Sequence, residues 1–285
     1  MARFLEETIE SVLSQDYPHI DYIVVDGGST DGTQDLLRRH EHRLRWISEK
    51  DDGQADAINK GFRMARGEIF AYLNADDTYL PGAISSAVSR LEAEPSVGVV
   101  YGEAWYVRED GSIIRRYPTD PYDYGQLGSL CYICQPASFI RSAVFAEAGM
   151  MDTKLHLTLD YDLWLRISQR HRMLKIDEYL ATSRMYADNK TLGRRVETFR
   201  EVVQITKRHR GYVPLNWLYG YAGHILDRKD GFYEHSQPSL IKYALTLAMG
   251  AWYNPLRFPR FFRECTQSLP MAMEMLWKKW RQPRA

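Results

Sequence analysis

Apolar residues at the start of the chain recur with a helical period. Phe4, Leu5, Ile9, Val12 and Leu13 share one face, with Glu6, Glu7 and Glu10 opposite, which predicts an amphipathic helix. Tyr17-Pro18 ends it. Tyr22-Ile23-Val24-Val25 then reads as a buried strand, with Asp26-Gly27-Gly28 at its C-terminal end. Asp31 or Thr33 can cap a helix running through Leu37. Leu44 to Ser48 is a second strand, followed by Glu49-Lys50-Asp51-Asp52-Gly53 and a helix to Ala65 that turns Ala55, Ile58 and Phe62 inward. Glu68 to Leu73 is a short apolar run read as a buried strand. It ends in Asn74-Ala75-Asp76-Asp77, and Thr78, Leu80 and Pro81 then restart the chain as a helix. Strand, polar loop and helix thus repeat three times, the alternation of an α/β protein whose sheet is mostly parallel and flanked by helices.

Later segments follow a looser pattern. Ala83 to Leu91 predicts a helix and Gly98 to Tyr101 a strand. Trp105 to Arg108 and Ile113 to Tyr117 flank Glu109-Asp110-Gly111, a hairpin signature. Gln135 to Ile140 reads as strand, Asp160 to Arg166 opens a helix, and Lys175 to Tyr186 reads as strand. Thr191 to Arg210 is an amphipathic helix, and the remainder is helical and rich in Tyr, Trp and Phe. The expected division is a domain over 1–191, with a nucleotide-binding part to about 101 and an acceptor part after it, and a helical C-terminal extension over 192–285.

Composition narrows the function. The apolar share of 45% gives 285 residues a real core. A formal net charge of zero argues against a nucleic-acid partner. Cys131, Cys134 and Cys265 make no disulfide framework and fit a reducing cytoplasm; Cys131 and Cys134, a lone CxxC, read as core residues. No signal peptide is visible, and the longest uncharged apolar run, Tyr243 to Asn254, is too short to span a bilayer. The segment 256–285 holds seven Lys or Arg against two Glu, a net of +5, interleaved with Phe258, Phe261, Phe262, Leu276, Trp277 and Trp280. That mixture suits either peripheral contact with an anionic membrane face or an aromatic core helix with a solvated basic end.

Candidate chemistry sits at the strand ends, where open α/β sheets bind ligands. Adjacent carboxylates such as Asp76 and Asp77 repel unless a cation or a donor lies between them. Oxygen ligands suit Mg²⁺ or Mn²⁺, while a solvated acidic turn capping the next helix fits the same residues.

Four segments in order and spacing carry a resemblance: FLEETIESVLSQ, YIVVDGGSTDGT, SEKDDGQADAINKG and ARGEIFAYLNADD. From Phe4 to Asp77, continuing to about Thr191, the chain resembles the family 2 glycosyltransferases, which have the Rossmann-like GT-A fold. The resemblance implies transfer of one sugar from a nucleotide-diphosphate sugar, UDP- or similar, to a saccharide or lipid-linked hydroxyl acceptor, with inversion at the anomeric carbon. The family's DxD motif falls on Asn74-Ala75-Asp76, so Asn74 would lie near the ribose and Asp76 would bind a divalent cation, with Asp77 assisting. Asp26 and Asp51 match acids near the nucleobase, and Asn59 lies on the helix after that loop beside Asp56 and Lys60, an i, i+4 pair that also reads as a surface salt bridge. The family's acidic pair becomes Leu159-Asp160, followed by Asp162, Trp164 and Arg166. The resemblance makes Asp160 the base, although it also reads as a helix cap. On a helix Asp160 and Asp162 point roughly 200° apart, so only one faces the sugar. Gln135 matches an acceptor-side position and equally suits a structural amide, and Asp162 is the second acceptor-side candidate. Tyr186 stands where many relatives carry a metal-binding His, and His156 reads as an ordinary loop residue.

The QxxRW motif and membrane spans of the processive synthases are absent, which favours one sugar per encounter in polysaccharide, lipopolysaccharide or glycoconjugate assembly. A nucleotidyltransferase on a related sheet and a non-catalytic nucleotide-sugar-binding module are the alternatives. The expected location is the cytoplasm or the inner membrane face. The family's first strand has no counterpart before Arg3; a start codon assigned too far downstream, which predicts an upstream apolar strand, is favoured over a real truncation.

Overall fold

Strand and helix alternate through the first hundred residues of the computed structural model, which describes residues 2–187, 189–227 and 239–268. The order is α1 (Ala2–Leu13), β1 (Ile23–Asp26), α2 (Thr33–His40), β2 (Arg45–Ser48), α3 (Gln54–Met64), β3 (Ile69–Phe70), β4 (Thr78–Tyr79), α4 (Ala83–Ala93), β5 (Val97–Val107) and β6 (Ile113–Arg116). There follow α5 (Tyr124–Leu127), β7 (Ser138–Arg141), α6 (Val144–Ala148), α7 (Leu159–Ile167), β8 (Arg172–Arg184), α8 (Lys190–Gly193), α9 (Arg195–Arg210), α10 (Leu215–Asp227) and α11 (Leu240–Tyr253). The chain divides into two compact units, Met1–Tyr124 with Tyr132–Tyr186, and Gly125–Cys131 with Ala187–Ala285.

In the first unit, α1 buries Phe4, Leu5, Ile9 and Val12, the face that its apolar spacing selects. β1 and β2 pair in parallel as a sheet of their own, with Asp26 opposite Ser48. The larger sheet has the order β3-β7-β5-β8-β4, with β6 on β5. The expectation of a mostly parallel sheet is corrected here. Only β5–β8 is parallel in this sheet; β3–β7, β5–β7, β5–β6 and β4–β8 are antiparallel. A tight hairpin at Gly111, where φ is +81°, must return β6 antiparallel to β5, and apolar periodicity reports that a strand exists without reporting its direction. β3, β5 and β8 still run the same way, so their C-terminal ends share one edge of the fold.

Two further expectations change. The buried strand over 68–73 shortens to the half-buried Ile69–Phe70. The carbonyl of Tyr72 accepts a hydrogen bond from Gln135 Nε2 at 2.5 Å and so is taken from any ladder. The helix expected from Thr78 starts at Ala83, because Thr78 and Tyr79 pair with Thr182 and Ala181 of β8 first. The core beneath the sheet gathers Tyr79, Ala83, Leu91, Val97, Val100, Phe139 and Leu180.

The second unit packs α9, α10 and the helical segment 258–268 around Phe199, Val203, Leu218, Tyr221 and Phe261. Buried Asn254 exchanges two hydrogen bonds with the Val213 backbone, at 2.8 and 2.9 Å. Leu276, Trp277 and Trp280 lie outside the described residues.

Gly102 shows how closely β5 and β8 approach. A Cβ there would stand 2.6 Å from the Glu178 carbonyl and 2.6 Å from the Leu180 side chain. Backbone in a ladder cannot step aside, so Gly102→Ala is expected to lower stability by about 1–3 kcal/mol, the scale of overpacking. Urea denaturation measures it, and an unchanged midpoint would contradict the packing described.

Candidate active site

The site is built where β1, β2 and β3 end. Asp26 closes β1, and the parallel register sets it against Ser48. Its Oδ2 accepts from Ser48 Oγ at 2.6 Å and from the Ser29 N–H at 3.0 Å. Burial raises its pKa, but these donors outweigh burial and hold the carboxyl below the usual range. Asp51 lies against the turn after β1, so closely that a side chain at Gly27 would meet its carboxylate at 2.5 Å. Asp51 Oδ1 accepts the Gly53 N–H at 2.9 Å, and Gly53, with φ +106°, caps α3. Both acids expected near a nucleobase thus lie about the turn after β1. Lys60 pairs with Glu49 at 2.8 Å and Asp56 at 3.3 Å, as the salt-bridge reading had it.

At the end of β3 the acidic turn splits its two carboxylates. Asp76 is half-buried, and its Oδ2 accepts the Tyr186 hydroxyl at 2.8 Å. Asp77, expected to assist with a metal, is buried and turned inward. Its Oδ1 accepts the Arg184 N–H at 3.0 Å and its Oδ2 the Asn74 amide at 3.0 Å. Burial and the adjacent Asp76 push its pKa up. Asn74 also accepts from Gln54 at 2.5 Å and donates toward Gln135 at 3.4 Å. Gln135 is buried and spends its own amide on Tyr72, so the structural reading describes what its side chain does.

Arg184 is the residue that sequence reasoning missed. Its side chain is 1% exposed. Nε donates to the Asp76 carbonyl at 3.0 Å, Nη1 to the Glu109 carbonyl at 2.6 Å, and Nη2 pairs with Glu7 at 2.6 Å. The available signal was its place as the one charge between Tyr179 and Tyr186.

A second wall comes from the turn before α7. Asp160 lies in the first turn of that helix, half-buried, with Oδ1 accepting the Tyr161 N–H at 2.8 Å. Burial raises its pKa above the ordinary carboxylate value. Asp162, expected on the acceptor side, is fully buried and paired with Arg166 at 2.8 Å. Arg166 in turn donates to the carbonyls of Ala148, Gly149 and Met150. Asn59, expected to touch the nucleotide sugar, is buried. Both ends of its buried amide hold the Met151 backbone, at 3.0 and 2.9 Å.

A metal has few donors here. Among the described residues no three His, Cys, Asp or Glu are grouped to hold one. The Asp76 carboxylate still fits a hard cation of the kind bound by one or two carboxylates with phosphate oxygens supplying the rest.

The Asn74 network makes its own prediction. Asn74→Asp would remove the donor to Asp77 and set a second carboxylate beside it. The expected loss of stability is about 1–3 kcal/mol at neutral pH, the scale for an unsatisfied buried acceptor. Thermal denaturation checks it, and a stabilised variant would overturn the hydrogen-bond assignment.

The model of the glycosyl transferase family 2 matches residues 2–148. An uncharacterized glycosyltransferase of Rickettsia typhi is 28% identical over 199 residues, 65% of this chain and 61% of its own length. The chondroitin synthase of Escherichia coli is 26% identical over 59% of this chain and 25% of its length. The chain thus spans less than two thirds of the length of these curated relatives. Among solved structures, S. aureus TarS 1-349 in complex with UDP-GlcNAc has a TM-score of 0.60 at 14% identity, covering 88% of this chain and 77% of TarS. The mannosyltransferase PcManGT of Pyrobaculum calidifontis, in complex with GDP-Man and Mn²⁺, has a TM-score of 0.57 at 20% identity, covering 98% and 85%. These likenesses show the GT-A fold. With its family model matched over more than half its residues, the chain belongs to glycosyl transferase family 2.

Proposed function

We propose that the protein is an inverting, non-processive glycosyltransferase. It would move one sugar from a nucleotide-diphosphate sugar to a hydroxyl of a saccharide or lipid-linked acceptor, in polysaccharide, lipopolysaccharide or glycoconjugate assembly. One observation carries this reading: the carboxylates are divided by environment. Asp77 and Asp162 are buried and paired, whereas Asp76 and Asp160 are half-buried, at a strand end and a helix start. Asp26 and Asp51 lie together at the neighbouring strand ends, the place where such sheets take a nucleotide. The TarS and PcManGT complexes with UDP-GlcNAc and GDP-Man support a nucleotide-sugar donor.

In this mechanism Asp26 and Asp51 bind the base. Asp76 would hold Mn²⁺ or Mg²⁺, which when bound would neutralise charge on the departing diphosphate. The Tyr186 hydroxyl orients the Asp76 carboxylate through its hydrogen bond. Asp160 takes the proton of the acceptor hydroxyl, and its raised pKa makes it the stronger base. A single candidate base corresponds to inversion. A binding module without catalysis is the second reading, favoured by the amide at Asn74 and by Leu159, buried where the family carries an acid. A donor-hydrolysis assay over several nucleotide sugars with Mn²⁺ separates the two.

Asp160→Asn is expected to keep donor affinity and lose transfer by roughly a hundredfold or more. The base works deprotonated, so wild-type transfer should fall as pH drops, with a half-point above the ordinary aspartate value of about 4. A pH–rate profile reads this, and an active Asp160→Asn variant would remove the assignment. Asp76→Ala is expected to abolish the Mn²⁺-dependent part of UDP binding in calorimetry. Undiminished Mn²⁺-dependent binding would move the metal elsewhere.

A further inference from the structure

Helix α11 in the second unit packs Leu247, Met249 and Tyr253 on the core and yet leaves an apolar stripe exposed. Its sequence, LIKYALTLAMGAWY, contains one charged residue, Lys242. The positions buried on this helix are Lys242, Thr246 and Gly250, four residues apart. The opposite face is apolar throughout. Ile241 is 68% exposed and Trp252 80%, with Ala244, Ala248 and Ala251 exposed between them. Leu256, in the turn after the helix, continues the stripe at 97% exposure.

Specific contacts fix this orientation. The Lys242 ammonium is buried against Asp227 Oδ2 at 2.5 Å. Gly250 lies under the Phe261 ring, where any side chain would collide. Turning the helix to hide its apolar face would expel one contact and block the other. Water is a poor neighbour for such a face, since contiguous exposed apolar surface marks an interaction site.

We propose that the outer face of α11, with Trp252 and Leu256, docks the protein on an anionic lipid bilayer. The stripe runs about 21 Å, the length of fourteen helical residues, enough to lie in the interface. Among the described residues no helix is long and apolar enough to cross a membrane. The charge beside the stripe selects the partner. Arg257, Arg260 and Arg263 are exposed just beyond Leu256, and apolar residues flanked by arginine are what an anionic headgroup layer attracts. The proposal stands apart from the donor chemistry, since it involves none of the residues given a catalytic or binding role.

Flotation of the full chain with vesicles tests it. Wild type should float with vesicles of phosphatidylcholine and phosphatidylglycerol in equal parts, and roughly tenfold less with phosphatidylcholine alone. The double variant Trp252→Glu with Leu256→Glu should lose flotation by roughly tenfold or more, and Ile241→Glu, at the far end of the stripe, should weaken it independently. Thermal midpoints of all three chains report whether the variants fold, and these exposed positions should leave them unchanged. Equal flotation of wild type and both variants would overturn the proposal. So would a wild type that ignores vesicles and is dimeric by light scattering while the double variant is monomeric, which would give the stripe to a second copy.

Discussion

Arg184 carries a full charge into the interior with 1% of its side chain exposed, and everything around it is arranged to make that tolerable. A buried cation must be paired and have its donors filled. Glu7 supplies the countercharge from α1, the Asp76 carbonyl accepts from the acidic turn, and the Arg108 and Glu109 carbonyls accept from the β5–β6 hairpin. Three segments distant in sequence are thereby tied to the end of β8. The Arg184 backbone N–H also occupies Asp77, so one residue decides which of two adjacent carboxylates faces inward. The half-buried Asp76 follows from that choice.

The second wall obeys the same logic with different groups. Met151 is held by Asn59 from α3, and Ala148 to Met150 are held by Arg166 from α7. Arg166 keeps its charge inside because Asp162 neutralises it one helical turn away. The turn leading to Asp160 is thus pinned to both the β1–β3 side and its own helix. Preorganised geometry of this kind is what lets a side chain act on a bound ligand, since a misplacement of an ångström weakens positioning sharply.

Much of this was legible in the sequence. Periodicity located α1, β1, β2, α3 and α7 to within a few residues, because each has one apolar face or a short apolar run. The resemblance put Asn74, Asp76 and Tyr186 in one neighbourhood, and Tyr186 does bond Asp76. What the letters could not convey was direction. A polar side chain at a strand end can point at a ligand or at the backbone behind it, and Asn59, Asp77, Gln135 and Asp162 all turn to the backbone or to a buried partner. Buried loop backbone needs partners for its own polar groups, and side-chain amides and carboxylates are the partners nearest to hand. Strand direction failed for a related reason: β4 and β7 are set by long-range pairing with β8 and β5, which no local pattern encodes.

Buried charge recurs as a device in both units. Lys175 and Glu103, 8% and 7% exposed, meet at 2.6 Å across β5 and β8, and Arg116 of β6 joins the same carboxylate. Lys242 meets Asp227 in the second unit. Such pairs add little net stability, because desolvation offsets most of the attraction. Their effect is on geometry: breaking one leaves an uncompensated charge, so alternative packings are disfavoured far more than the native one is favoured. Between β5 and β8 that fixes a ladder whose register shifts more than once along its length. Under α11 it adds to the packing of Leu247, Met249 and Tyr253 in fixing rotation. A helix that keeps its one cation inward and its tryptophan outward has its orientation set by specific pairing as well as by apolar burial.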